Sequence, residues 1–185
     1  MATPDIKLII LDRDGVINYD SDNYIKSPEE WVPIPGSLEA IAKLNRARYK
    51  VAIATNQSGI GRGYYDLQTL EKMHQKMDKL LAEINAKVDY IRFCPHTPDD
   101  NCFCRKPRPG MLLEIAKNFN QPAEEVIFIG DTASDRQAAK AANMNFVLMK
   151  TGKGESTFKS LNEAEQKSIS VFPSLEFFVE ALLSN

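Results

Sequence analysis

The sequence predicts an α/β fold: a doubly wound, three-layer domain on a mostly parallel central sheet. Three observations predict it. Short, almost wholly apolar runs, such as Leu8-Ile9-Ile10-Leu11, Val51-Ala52-Ile53-Ala54 and Val126-Ile127-Phe128-Ile129, have the composition of strands buried on both faces. Between them lie segments with apolar residues at three- and four-residue intervals, so strands alternate with helices. Each run ends in acidic or small polar groups, which this architecture gathers beyond the carboxyl ends of its strands.

In chain order, the first strand runs into Asp12-Arg13-Asp14-Gly15. Alternation points the two carboxylates the same way, and like charges so close repel unless a cation lies between them. A hard, all-oxygen site suits magnesium; the plain alternative is an ordinary Asp/Gly turn. Asn18 to Pro35, with Pro28, Pro33 and Pro35, reads as a long surface loop shaping an entrance, where Tyr24 and Trp31 either line the opening or pin the loop to the body. A helix begins near Ser37, expected as its cap, and buries Leu38, Ile41, Ala42 and Leu44. The next strand ends in Thr55-Asn56-Gln57-Ser58-Gly59. In the following Ile60-Gly61-Arg62-Gly63, Arg62 either reaches a ligand anion or forms a surface ion pair.

Asp66 caps the longest helix, reaching Ile84, with Leu67, Leu70, Met73, Met77, Leu80, Leu81 and Ile84 as its apolar face. His74, beside that face, reads as structural. Val88 to Phe93 is a third strand candidate. Then Cys94, His96, Cys102 and Cys104 fall within residues 94–104, taking all three cysteines and one of the two histidines of the chain. Two such ligand pairs across a short polar loop suit a tetrahedral zinc ion, and with all four ligands used the site is structural, with no open position. The cations of Arg105-Lys106-Pro107-Arg108 follow directly, either as an anion site fixed by the metal loop or as a solvated basic patch.

A helix from Pro109 or Gly110 to about Phe119 buries Met111, Leu112, Ile115, Ala116 and Phe119. After a turn with a brief helical piece at Glu124 and Glu125, the strand from Val126 ends in Gly130-Asp131. Thr132, Ser134 and Asp135 open the next helix, whose alanines permit close packing on a sheet. Phe146 to Met149 reads as the last central strand, Thr151 to Ser168 as a surface connection, and Ser174 as the cap of a closing helix.

Composition bounds the function. The 185 residues, 43% hydrophobic, suit a single domain spanning 1–185 with the metal loop embedded. Lys plus Arg total 23 against 25 acidic residues, a net charge of -2 that gives no bias toward nucleic acid or membrane. Met1 to Asp5 is polar and no window is long enough for a span, so a cytoplasmic protein is expected; a monomer is expected separately. There is no Walker-type loop, since Gly152-Lys153 lacks the preceding pattern. Carboxylates, a metal and local cations together favour phosphate ester hydrolysis over nucleotide-driven chemistry.

Asp12-Arg13-Asp14-Gly15, Thr55-Asn56, Lys106 and Gly130-Asp131 with Asp135 resemble the four ordered motifs of the haloacid dehalogenase-like phosphohydrolases. Over residues 6 to 150, the further motifs Cys94-Pro95-His96 and Cys102-Phe103-Cys104-Arg105-Lys106-Pro107 resemble the branch that removes the 7-phosphate of D-glycero-D-manno-heptose 1,7-bisphosphate. Val16 departs from the threonine of many relatives, a change expected to touch packing more than catalysis. The resemblance implies a fold without a large cap domain. It implies Asp12 as nucleophile, Asp14 as acid and base, and magnesium on Asp12, Asp131 and the Asp14 backbone carbonyl. Thr55 and Lys106 would hold phosphoryl oxygens, and Asp135 would orient Lys106 or the magnesium shell. Arg13, Asn56, Gln57, Ser58, Arg62, Arg105 and Lys106 are the expected contacts of a small phosphorylated sugar. Histidinol phosphate is the rival substrate, and a non-catalytic zinc-stabilised binding protein the rival of another class.

Overall fold

The computed structural model describes residues 8–184, so the reading of Met1 to Asp5 falls outside the described residues. Its strands are β1 Leu8–Leu11, β2 Lys50–Asn56, β3 Tyr90–Cys94, β4 Val126–Gly130, β5 Asn145–Met149 and β6 Ser170–Phe172. Its helices are α1 Ser37–Arg46, α2 Ser58–Gly61, α3 Leu67–Glu83, α4 Gly110–Asn118, α5 Ala133–Ala141, α6 Gly154–Ser160, α7 Glu163–Ser168 and α8 Leu175–Leu183. All neighbouring strands pair in parallel, in the order β3-β2-β1-β4-β5-β6. β1 is central, with Leu11 opposite Ile53 on one side and Ile129 on the other. The order reverses between β1 and β4, where this architecture opens a crevice.

Strand alternation divides the apolar runs between two cores. Ile9, Leu11, Ile53 and Ile129 pack with α1, α3 and α8, while Leu8, Ile10, Ala54 and Phe128 pack with α4 and α5. Each large side chain so buried contributes about 1.5–3 kcal/mol. Covering both faces is what a parallel sheet requires, and it explains why the runs are apolar throughout rather than alternating.

The entrance loop resolves its two aromatics differently. Trp31 is fully buried and pins the loop, helped by Lys76 of α3, whose Nζ donates to Pro28 O and Trp31 O at 2.7 Å each. Tyr24, at φ 64, lines the crevice and packs edge-on against Tyr64 with ring centroids 5.1 Å apart.

Three expectations are corrected. The cap of α1 is Gly36 at φ 81, not Ser37, whose hydroxyl donates to Ile17 O at 2.6 Å. Ser174 stands at the N-cap of α8 but makes no side-chain cap bond. The segment read as a surface connection holds α6 and α7, and β6 extends the sheet beyond β5. α7 starts on a capping box between Asn162 and Glu165 and buries nothing, so local polar bonds rather than an apolar stripe define it. Among the described residues no helix is long and apolar enough to cross a membrane.

Candidate active site

A crevice of about 290 Å3 opens at the carboxyl ends of β1, β2 and β4, with Asp12, Asp14, Thr55, Lys106, Asp131 and Thr132 in its walls. The backbone builds it first. Asp12 N donates to Ile129 O at 2.8 Å, fastening the end of β1 to β4. Arg13 O then accepts from the N–H groups of Val16, Ile17 and Asn18. Gly15, at φ 86, passes under Asp131, where a Cβ would stand 2.2 Å from Asp131 Oδ2, so only glycine fits.

Asp12 is 8% exposed, and its Oδ1 accepts from Arg13 N at 2.7 Å and meets Lys106 Nζ at 3.0 Å. Lys106 Nζ also reaches Asp135 Oδ1 at 2.7 Å and Ala54 O at 2.8 Å, so its three donors are all engaged. Asp135 in turn accepts at Oδ2 from Thr132 N and Thr132 Oγ1 as the capping box of α5. Burial pulls the Lys106 ammonium down, but the Asp12 and Asp135 charges outweigh it and push Lys106 up. Burial pushes Asp12 well above the usual carboxylate range, Lys106 opposing and the Asp135, Asp131 and Asp14 charges adding to it. Burial first, then the Asp135 charge, pushes Asp131 up to about 7.

Three buried carboxylates thus face one buried ammonium, an excess of negative charge that suits a divalent cation. Oxygens of Asp12, Asp131 and Asp135 lie within 4.8 Å of one another. Asp131 Oδ2 accepts from Lys153 N at 2.7 Å, whereas its buried Oδ1 has no hydrogen-bond partner. That unpartnered oxygen fits a magnesium ligand, and Asp135 is already engaged by Lys106 and the cap.

Asp14 lies beside Asp12 with both oxygens occupied by donors. Oδ1 accepts from Arg13 Nε at 3.0 Å and Asn18 Nδ2 at 2.8 Å; Oδ2 accepts from Arg13 Nη2 at 3.1 Å and Gln57 Nε2 at 3.0 Å. Gln57 Nε2 also donates to Thr55 Oγ1 at 2.9 Å, tying the ends of β1 and β2 together.

Several expected substrate contacts have other partners. Arg13 is fully buried, and its guanidinium is enclosed by Asp14 and Gln57. Asn56 lines the crevice, yet its amide exchanges two bonds with the Lys106 backbone, at 3.0 and 3.1 Å, and so sets where Lys106 starts. Ser58 and Arg105 line the crevice, with Arg105 Nη1 donating to His96 O at 3.2 Å. Arg62 is exposed at the end of α2, outside the crevice walls. Arg108 turns away to donate to Asn101 O, Asn101 Oδ1 and, at 2.9 Å, Cys102 O.

Cys94, His96, Cys102 and Cys104 converge. Their facing atoms are 3.3–3.6 Å apart: Cys94 to Cys104 3.3, His96 Nδ1 to Cys104 3.3, Cys104 to Cys102 3.4, Cys94 to Cys102 3.6 and Cys94 to His96 Nδ1 3.6 Å. A tetrahedron of zinc bonds about 2.0–2.3 Å long has edges of about 3.3–3.8 Å, so the donor set fits that ion.

Sequence reasoning missed Thr151-Gly152-Lys153. Thr151 Oγ1 donates to Gly15 O at 2.6 Å, and a Cβ on Gly152, at φ 58, would lie 2.2 Å from Asp131 Oδ2. Lys153 gives its backbone N–H to Asp131 and its ammonium to Asp20 and Asp22, at 3.5 and 3.3 Å, across the mouth. The signal was a small-residue turn immediately after a strand end, as at Gly15.

A family model described as polynucleotide kinase 3 phosphatase matches residues 7–169. The chain is 58% identical over 154 residues to the D-glycero-beta-D-manno-heptose-1,7-bisphosphate 7-phosphatase of Pseudomonas putida, covering 83% of this chain and 88% of that one. A D,D-heptose 1,7-bisphosphate phosphatase crystal structure from B. bronchiseptica, complexed with magnesium and phosphate, superposes at a TM-score of 0.91 with 47% identity, over 96% of this chain and 98% of that one. A putative HAD-like phosphatase from Mesorhizobium loti gives a TM-score of 0.71 at 36% identity, over 80% and 74%.

Proposed function

This chain belongs to the haloacid dehalogenase-like phosphohydrolases, in the family described as polynucleotide kinase 3 phosphatase, and we propose that it removes the 7-phosphate from D-glycero-D-manno-heptose 1,7-bisphosphate. The observation that carries the chemistry is the buried Asp12 carboxylate, 3.0 Å from Lys106 and beside the unpartnered Asp131 Oδ1. The similarity to the Pseudomonas putida phosphatase, 58% over 83% of the chain, supports the substrate.

In the first step a carboxylate oxygen of Asp12 bonds to phosphorus as the bond from phosphorus to the sugar oxygen breaks. Asp14 delivers a proton to that departing oxygen. In the second step Asp14 takes a proton from water as the water oxygen attacks phosphorus, and the bond to Asp12 breaks, releasing inorganic phosphate. Lys106 has no spare donor in the resting site, so its Asp12 contact is the one a phosphoryl oxygen replaces as charge moves onto phosphate. Asp135 and Ala54 O keep the ammonium in place during that exchange. Thr55 offers a hydroxyl at the end of β2, oriented by Gln57. Asp12, Asp131 and the Asp14 backbone carbonyl would hold magnesium, which supplies charge neutralisation at the transferring group. The zinc loop is structural.

The mouth favours a small ester over a polynucleotide. Arg105 is tied to His96 O and Lys153 to Asp20 and Asp22, so the crevice residues form no continuous basic stripe to follow a phosphate backbone. The test is a panel of heptose bisphosphate, histidinol phosphate and a 3′-phosphorylated oligonucleotide, each with magnesium and with chelator. Magnesium-dependent phosphate release, highest kcat/KM on the bisphosphate, is expected. Efficient turnover of histidinol phosphate or the oligonucleotide with negligible bisphosphate cleavage would overturn the substrate, and unchanged turnover by Asp12→Asn would overturn the mechanism.

A further inference from the structure

We propose that Arg13, backed by Gln57 and Tyr65, is a positioning residue for the Asp14 carboxyl and no contact of the substrate; the inference rests on the aspartyl-phosphate reading above. Arg13 presents no surface to the crevice. Its Nε donates to Asp14 Oδ1 at 3.0 Å, and its Nη2 sits between the two Asp14 oxygens, 2.9 Å from Oδ1 and 3.1 Å from Oδ2, a fork of donors that only a planar guanidinium provides. Nη2 also donates to Gln57 Oε1 at 3.2 Å. The remaining arm, Nη1, lies 3.8 Å from Met73 Sδ and 3.5 Å from His74 Nε2, both on α3.

Gln57 is saturated in the same way. Its Oε1 accepts from Arg13 and, at 2.5 Å, from Tyr65 Oη, while its Nε2 donates to Asp14 and Thr55. An amide with both ends occupied cannot flip or turn to a ligand, so Tyr65 fixes Gln57, and Gln57 with Arg13 fixes Asp14. The backbone N–H of Arg13 meanwhile holds Asp12 at 2.7 Å. One residue therefore sets the spacing of nucleophile and proton-transfer group, and a buried guanidinium is retained because its charge is met by Asp14 and its donors by Gln57.

The readout is the leaving group. A sugar alkoxide departs poorly without a proton, whereas p-nitrophenolate leaves without one, so disturbing Asp14 should separate the two esters in the first step. For Arg13→Lys, kcat on the sugar bisphosphate should fall by about 10²-fold or more, with KM within about threefold. Single-turnover release of p-nitrophenolate from p-nitrophenyl phosphate should stay within about threefold of wild type, with phosphorylated protein accumulating because its hydrolysis also needs Asp14. A raised KM with unchanged kcat would make Arg13 a substrate contact, and equal losses on both esters would make it merely structural; either overturns the proposal. If Arg13→Lys does not fold, Tyr65→Phe decides. Removing that one hydroxyl should lower sugar-phosphate kcat by about 3- to 10-fold and spare p-nitrophenolate release, and equal losses or no loss would overturn the proposal. Wild-type protein that forms no phosphorylated intermediate would overturn the aspartyl-phosphate reading itself and this inference with it, whereas a wild-type intermediate alongside equal losses overturns the inference alone.

Discussion

Lys106 shows how much one side chain carries in this crevice. It is 3% exposed, its ammonium sits 5.4 Å from the centroid of Phe128, and it neutralises Asp12 and Asp135 together. Lys106→Met keeps the stem and removes the charge, leaving two buried carboxylates facing Asp131. We expect kcat to drop by about 10²–10³-fold from the lost charge at the transferring group. Stability should fall by about 3–5 kcal/mol, because an unpaired buried charge costs more than the pair contributed. Urea unfolding checks the second number and steady-state assay the first; a variant of wild-type stability would mean that Asp135 does not depend on Lys106. At this scale the sequence was readable for residue type and only partly for partner. Asp12, Thr55, Lys106 and Asp131 all reach the crevice from positions that a strand end imposes. Arg13, Asn56 and Arg108 stand close to those positions in sequence, but their side chains go to Asp14, the Lys106 backbone and the Cys/His loop instead. Chain adjacency does not encode that choice of partner.

At the scale of elements, the central strands were legible because burial on both faces demands an unbroken apolar run, and α3 because four turns of apolar spacing follow a capping aspartate. Asp66 indeed accepts from Thr69 N at 2.8 Å. α6, α7 and β6 were not legible: two short polar helices carry no apolar stripe, and a three-residue edge strand has no pattern of its own. α3 also carries the clearest pH dependence. Its His74 faces Arg13 and Asp14, and burial, reinforced by the Arg13 charge and opposed by Asp14, pushes it from the ordinary 6.5 down to about 4. The unfolded chain therefore binds more protons between those two values, so the contribution is fully present above pH 6.5 and is lost as pH falls toward 4. Between pH 7 and pH 5 wild-type protein should lose about 2 kcal/mol more stability than His74→Gln, which cannot titrate. Denaturant melts at the two pH values check it; parallel losses in both proteins would place the titration elsewhere.

Over the whole molecule, the Cys/His loop, which we propose binds zinc, is the brace that joins an edge of the sheet to the centre of the chemistry. It leaves the edge strand β3 at Cys94, whose carbonyl accepts from Gln57 N at 2.7 Å, and Pro95 O accepts from Gly61 N at 3.0 Å. It returns at Cys104, and the chain then enters the crevice at Arg105 and Lys106. None of the four candidate ligands lines the crevice, so an ion held there would act on the reaction only through the backbone it fixes. Burial pushes the Cys94 thiol up, while Cys102 is brought down to about 7, burial being outweighed by hydrogen bonds with Cys104, the Arg105 backbone and Cys94; a cation that replaces the protons gains three thiolates already in contact. Metal analysis of protein purified without chelator should find about one zinc per chain. Stripping it should lower Tm by about 2–4 °C for each kcal/mol of the brace that is lost. Activity at saturating magnesium should fall as well, since Lys106 and Asn56 lose their fixed register, and zinc but not further magnesium should restore both properties. The decisive variant is Cys102→Ser, in a candidate ligand that lies outside the strands and helices. Unchanged Tm and kcat in that variant, or zinc-free protein of full activity, would leave the loop a bystander and Lys106 placed by Asn56 and Asp135 alone.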